Sequence, residues 1–244
     1  MRLLLTSLGI EGVRENGIKV DANINTSNGF LDKIKTHLKG TDTFVFVSSD
    51  PTEFAHNDLS CKLNVEAFKK EGIEFKNSIV IDDRNSDKVC SIIPKADLIF
   101  LQGGDVAVQN EFFDKIELQD YIAKSDALVI GQSAGSMNLT KKVYVYPEGE
   151  EQLNYPKFIE GMGFVDISII PHFNVKTGNN FVFEGVDYIV DYFLPDSNIV
   201  TLYAMLDGTY IEVVDNKCII YGECYKIEKG EIECICTNDS SVNI

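Results

Sequence analysis

Residues 128–139, Leu-Val-Ile-Gly-Gln-Ser-Ala-Gly-Ser-Met-Asn-Leu, place a Gly-x-Ser-x-Gly pentapeptide between a β-branched apolar run and an apolar-spaced helix start. That order dictates a buried strand that must turn at once into a helix. Gly131 and Gly135 flank Ser133 because a side chain at either place would crowd the turn. The serine hydroxyl is thereby pushed out at the carboxyl edge of a sheet, beside the positive end of a helix. A surface serine does not need two glycines at this spacing, so Ser133 is the candidate nucleophile.

The rest of the chain repeats the strand-then-helix theme. Strands are predicted at 2–6, 43–47, 78–81, 97–101 and 127–130, with helical spacing at 30–38, 57–70, 87–93 and 106–124 between them. Such alternation with short connections means a mostly parallel sheet covered by helices on both faces, with ligands bound outside the carboxyl ends of its strands. After Ser133 the pattern changes. Residues 144–155 read as a polar, acidic loop, 168–171 as a short strand ending at His172, 181–193 as a helix and 199–206 as another strand. Residues 209–236 read as β-hairpins, with turn signals at Asp215-Asn216 and Lys229-Gly230. No repeat or linker interrupts the chain, so residues 1–244 are expected to form one α/β domain.

Charge narrows the partners. With 38 acidic against 22 basic residues the net charge is −16, which argues against a nucleic-acid backbone or an anionic membrane. Residues 1–7 are too short for a signal peptide and read as a first buried strand, and no apolar run approaches the roughly 18–20 residues of a membrane span. The six cysteines lie scattered in ordinary sequence, as reduced thiols of a cytoplasmic protein would. The spacing of Cys218, Cys224, Cys234 and Cys236 matches no usual zinc pattern, and no metal or organic cofactor is expected.

A serine nucleophile needs a base, and the chain offers three histidines. His37 falls on the polar side of a helix and reads as a surface residue. His56 follows the second strand in a loop that could border a carboxyl-end site. His172 ends the apolar strand Ile169-Ile170-Pro171 and should also reach the carboxyl edge of the sheet, which makes it the candidate base. For the orienting carboxylate two sets compete. Glu148, Glu150 and Glu151 lie in the loop between serine and histidine, whereas Asp207 directly follows a strand and is the more firmly held. Backbone N–H groups of Ala134, just after the serine, and of Gly104, in the Gly103-Gly104-Asp105 turn, are the candidate oxyanion donors.

Four stretches together resemble the S51 peptidase family of aspartyl dipeptidases and cyanophycinases: Gly103-Gly104-Asp105, Gly131-Gln132-Ser133-Ala134-Gly135, Pro171-His172-Phe173 and Leu206-Asp207-Gly208. The resemblance spans nearly the whole chain. It implies a class I glutamine-amidotransferase-like α/β fold, with Ser133 as nucleophile, His172 as base and the late carboxylate at Asp207, where the dipeptidases carry glutamate. It also implicates a loop acid at the position of Glu148, and adds Gly103, Asp105, Gln132 and Lys176 as candidate substrate contacts. The dipeptidases hold an aspartyl side chain with an arginine after the base; residues 174–185 contain no arginine and only Lys176. The resemblance therefore favours a serine peptidase of small peptides over strict aspartyl specificity. The expected partner is a small peptide substrate, with the chain as monomer or homodimer. Two other readings stay open. One is an α/β-hydrolase-type esterase that uses a loop glutamate, and the other a non-catalytic scaffold that binds a small ligand.

Overall fold

The computed structural model describes residues 1–149, 152–180, 185–215 and 217–244. Its strands begin with β1 (Arg2–Thr6), β2 (Ile10–Glu15), β3 (Ile18–Ile24), β4 (Thr43–Val47), β5 (Asn77–Ile81), β6 (Leu98–Leu101), β7 (Leu128–Gln132) and β8 (Lys142–Tyr144). They continue with β9 (Phe158–Glu160), β10 (Ser168–Ile170), β11 (Leu202–Met205), β12 (Tyr210–Val214), β13 (Lys217–Tyr221), β14 (Cys224–Glu228), β15 (Glu231–Cys236) and β16 (Ser241–Asn243). The helices are α1 (Phe30–His37), α2 (Phe54–Lys70), α3 (Val89–Ile92), α4 (Val106–Lys115), α5 (Leu118–Ile122) and α6 (Ala134–Leu139). A π-helical segment, Tyr188–Phe193, runs into α7 (Leu194–Asp196).

The large sheet has the order β16-β13-β12-β1-β7-β6-β4-β5. Its β1-β7-β6-β4-β5 half is parallel, and β12, β13 and β16 extend it by antiparallel pairing. The central strands are apolar without interruption because each face is buried, and their period of two divides the side chains between two cores. Leu3, Leu5, Val45, Val47, Ile99, Leu101 and Val129 pack on the side covered by α3–α6. Leu4, Phe44, Phe46, Leu98, Phe100, Leu128 and Ile130 pack on the side covered by α1 and α2, through Ile34, Ala67 and Phe68. The result is a mixed α/β fold with a large sheet flanked by helices.

Several expectations need correction. The strands ending near His172 and Asp207 do not join the large sheet. They form part of a second sheet, β10-β11-β14-β15, in which β10 and β11 are parallel. The single helix expected over 106–124 is broken, with Glu117 in a left-handed conformation at φ 51°. In a continuous helix Ile116 and Leu118 would point to nearly opposite sides; the break lets both be buried. Of the helix expected over 181–193, residues 181–184 lie outside the described residues, and the described helix begins at Tyr188. Its wider π winding puts Tyr188 and Phe193, five residues apart, into one core. The stretch read as a polar loop from 144 starts with buried Tyr144, Val145 and Tyr146. Tyr144 Oη donates to Asp196 at 2.8 Å, and Tyr146 packs edge-on against Tyr188 and Phe193. His37, expected at the surface, is largely covered and lies 2.5 Å from Glu212.

The β2–β3 hairpin is a further element, not among those expected. Its two-residue turn is Asn16-Gly17, with φ of 49° and 82°. Asn-Gly favours this tight turn because both residues tolerate positive φ. Among the described residues no helix is long and apolar enough to cross a membrane.

Candidate active site

The turn after β7 is as tight as its glycines require. A Cβ at Gly131 would stand 2.7 Å from the Ser136 backbone, and one at Gly135 would stand 2.4 Å from the Leu101 carbonyl oxygen. Neither glycine is held by a positive φ, so the constraint is space. Ser133 itself adopts φ 52°, ψ −117°, a backbone conformation that costs a residue with a side chain about 1–3 kcal/mol. The turn is locked in place by hydrogen bonds. Ser133 N–H donates to the Thr6 carbonyl at 3.0 Å, the Ser133 carbonyl accepts from Ser136 and Met137 N–H, and Ser136 Oγ accepts from Thr6 N–H at 2.8 Å. Gly135→Ala is expected to lower stability by about 1–3 kcal/mol, because the added methyl meets fixed backbone. A drop in the urea midpoint checks this, and an unchanged midpoint would show that the turn can relax.

Strand register explains how distant residues meet here. Parallel pairing aligns Thr6 with Gln132 and Leu101 with Gly131, so Ser7, Gln102–Gly104 and Ser133 leave the large sheet at one carboxyl edge. Pairing of β10 with β11 aligns Ile170 with Ala204, and Phe173 N–H bonds the Met205 carbonyl, so His172 and Asp207 leave the second sheet side by side. The two edges face each other. His172 Nε2 lies 3.0 Å from Ser133 Oγ, and His172 Nδ1 lies 2.7 Å from Asp207 Oδ1. In that line a hydroxyl can pass its proton to the imidazole while the carboxylate fixes the ring.

Two residues that the sequence reading did not single out complete the support. Ser7 Oγ accepts from His172 N–H at 2.7 Å and donates to Asp207 Oδ1 at 2.9 Å, and Asn180 Nδ2 donates to Asp207 Oδ2 at 2.9 Å. Burial pushes the Asp207 carboxyl up, but the bond and charge of His172, with the bonds from Ser7 and Asn180, outweigh it and hold the group below its ordinary range. His172 is buried, with φ 57°, and its carbonyl accepts from Asn180 N–H.

A cleft of about 350 Å³ opens at Ser133, with Gly103, Gly104, Gln132, Glu148 and His172 among its lining. A smaller cavity meets it there and adds Ala134, Tyr146 and Pro171. The glycine turn is cramped: a Cβ at Gly104 would lie 2.4 Å from Ser49 Oγ. Glu148 borders both cavities; burial raises its carboxyl, with the His172 charge opposing and Asp105 adding to the rise. Glu150 and Glu151 lie outside the described residues. Gln132 Oε1 accepts from Ile10 N–H at 2.7 Å, which ties the start of the hairpin to the serine strand. Asp105 is engaged as the cap of α4, accepting from Ala107 and Val108 N–H, while Gln152 donates to its other oxygen. Lys176 is exposed on its loop and is not among the residues lining either cavity. His56 does line the larger cleft, with Nε2 at 3.2 Å from the Gln102 amide nitrogen. The cations of that cleft are Arg14 and Lys19 from the hairpin, and the Asn-Gly turn was the one signal that could have led to them. Among the described residues no group of three or more His, Cys, Asp or Glu is placed to hold a metal ion.

A peptidase from an acI-B1 Actinobacterium has a similar structure, at TM-score 0.66 and 16% identity, covering 100% of this chain and 96% of that one. A putative peptidase E protein from Listeria monocytogenes EGD-e aligns at TM-score 0.59 and 16% identity, covering 90% of this chain and 96% of that one. At such identity the likeness speaks for the fold alone. No curated protein matches the chain. The model of peptidase family S51 matches residues 22–221, and by that match over most of its length the chain belongs to peptidase family S51.

Proposed function

We propose that the protein is a serine peptidase that hydrolyses small peptides, dipeptides among them, on a class I glutamine-amidotransferase-like fold. Ser133 Oγ attacks the scissile carbonyl. His172 Nε2 takes its proton and returns it to the leaving amine, while Asp207 keeps Nδ1–H pointed away from the serine. The Gly104 and Ala134 N–H groups receive the oxyanion of the tetrahedral intermediate. One observation carries this reading: the Ser133–His172–Asp207 line, at 3.0 and 2.7 Å. The family supports the peptide as substrate. A cleft of about 350 Å³ is at the small end of ligand pockets and suits a short peptide better than a folded chain. An esterase using a loop glutamate is the weaker reading, since His172 Nδ1 already bonds Asp207.

The test is labelling with a fluorophosphonate probe, alongside a panel of dipeptides and their neutral and acidic first-residue variants. Modification at Ser133 together with dipeptide turnover is the expected result. Absence of both, or rapid ester cleavage with no peptide turnover, would overturn the assignment.

A further inference from the structure

The larger cleft extends from Ser133 to a wall that the serine–histidine–aspartate line does not use. Arg14 and Lys19 are directly paired across the β2–β3 hairpin and both line this cleft. Lys19 is half-buried, and its stem lies over Gly12, where a Cβ would come within 2.7 Å of Lys19 Cε. In a chain of net charge −16 almost any cation can find an acid, yet among the described residues neither of these two forms an ion pair. Arg14 donates to the Gly17 carbonyl. Glu148 lines the same cleft, but the charges acting on it are those of His172 and Asp105. Burial and the neighbouring Arg14 lower the Lys19 ammonium from its ordinary value, as happens when an ammonium lacks a counter-charge.

A second part of the same lining comes from α2, which packs directly against β3. His56, Ser60 and Asn64, four residues apart on α2, present one polar stripe to the cleft. Asn64 is 3% exposed, and its side-chain oxygen has no hydrogen-bond partner among the described residues. That oxygen has essentially no surface open to the cleft, so it offers a ligand no acceptor as the side chain stands. Two cations in the cleft that holds Ser133 call for an anionic group beside a scissile amide, which a short peptide offers.

We propose that Lys19, supported by Arg14, forms a carboxylate-binding subsite where the hairpin lines the cleft. The inference rests on the peptidase reading for the identity of the ligand. The hairpin thereby takes on the anionic end of the substrate, and Gln132, which holds Ile10, couples the hairpin's position to the serine strand. Two carboxylates of a peptide could sit there: the C-terminal one, or an acidic side chain.

Direct binding to the Ser133→Ala protein separates them without depending on turnover. Calorimetry would compare aspartyl-alanine with its C-terminal amide and with asparaginyl-alanine. The peptide lacking the recognised carboxylate should bind about 10- to 100-fold more weakly, the range of one charge-assisted hydrogen bond. Adding Lys19→Met should abolish that difference, Lys19→Arg should keep most of it, and Arg14→Gln should reduce it. Which peptide shows the loss names the carboxylate. Equal binding of all three peptides, no binding of any, or a difference that survives Lys19→Met in a protein with unchanged circular dichroism would overturn the subsite. Turnover by the unmodified enzyme is scored separately. Hydrolysis with a Lys19-independent preference defeats only this inference, and Lys19-dependent binding without hydrolysis defeats only the peptidase reading.

Discussion

Replacing Ser133 with alanine is expected to lower peptide turnover by about a million-fold, the scale set by removing a nucleophile from a serine–histidine–carboxylate line. The fold should survive. Ser133 Oγ bonds His172 Nε2 at 3.0 Å, whereas the bonds that lock the turn use the Ser133 backbone and the Ser136 side chain. Alanine keeps the same Cβ at the same φ of 52°, so the strain is unchanged. Ser133→Gly should go further, losing activity equally while gaining stability, because glycine alone adopts that backbone conformation without cost. His172→Ala should match the serine variant in activity, since residues acting as one unit do not contribute additively. Steady-state hydrolysis with thermal melts of all three proteins checks these statements. A Ser133→Ala protein that retains a tenth of its turnover would remove the serine from the chemistry.

How much of this was legible in the chain depended on whether the signal was local. The turn at Ser133 was, because two glycines at fixed offsets from a serine answer a steric demand that the Ser136 and Leu101 backbones then impose. The uninterrupted apolar strands also announced their parallel, doubly covered sheet. His172 and Asp207 could be picked out as polar residues at strand ends, but not their sheet. A three-residue strand such as β10 carries no information about its neighbour, and its pairing with β11 is fixed by long-range packing. Ser7 was invisible for a related reason. Its role arises only where β1, β12 and the second sheet converge, and a serine after a strand is otherwise unremarkable. Lys176 looked like the substrate cation because it follows the histidine in sequence; the cleft takes its cations from a hairpin more than 150 residues earlier. Asn16-Gly17 was the available clue to that hairpin.

Asp207→Asn should cost about 10⁴-fold in kcat at neutral pH, close to the loss seen when a triad aspartate becomes an amide. The surrounding donors explain why. Asp207 Oδ2 receives the Asn180 amide N–H, and Oδ1 receives both the Ser7 hydroxyl and the His172 ring. An amide in this place has one oxygen to satisfy all of them. If the oxygen stays toward Asn180, its NH₂ faces His172 Nδ1, which must then accept. The ring proton moves to Nε2 and points at Ser133, and the base has lost its lone pair. If instead the oxygen turns toward His172, the NH₂ confronts the Asn180 donor, so the tautomer that works is the more strained. Asp207→Glu, which keeps the charge, should retain far more activity. The same substitution separates stability from catalysis in acid. Because the folded carboxyl sits below its ordinary value of about 4, its contribution is full above that pH and is lost as the pH falls through the folded value. The parent protein should therefore lose more of its thermal midpoint than Asp207→Asn between neutral pH and roughly pH 3. Parallel acid profiles would mean that the carboxylate is not held by these bonds in solution, and the orienting role would pass to another acid, with Glu148 the first to test.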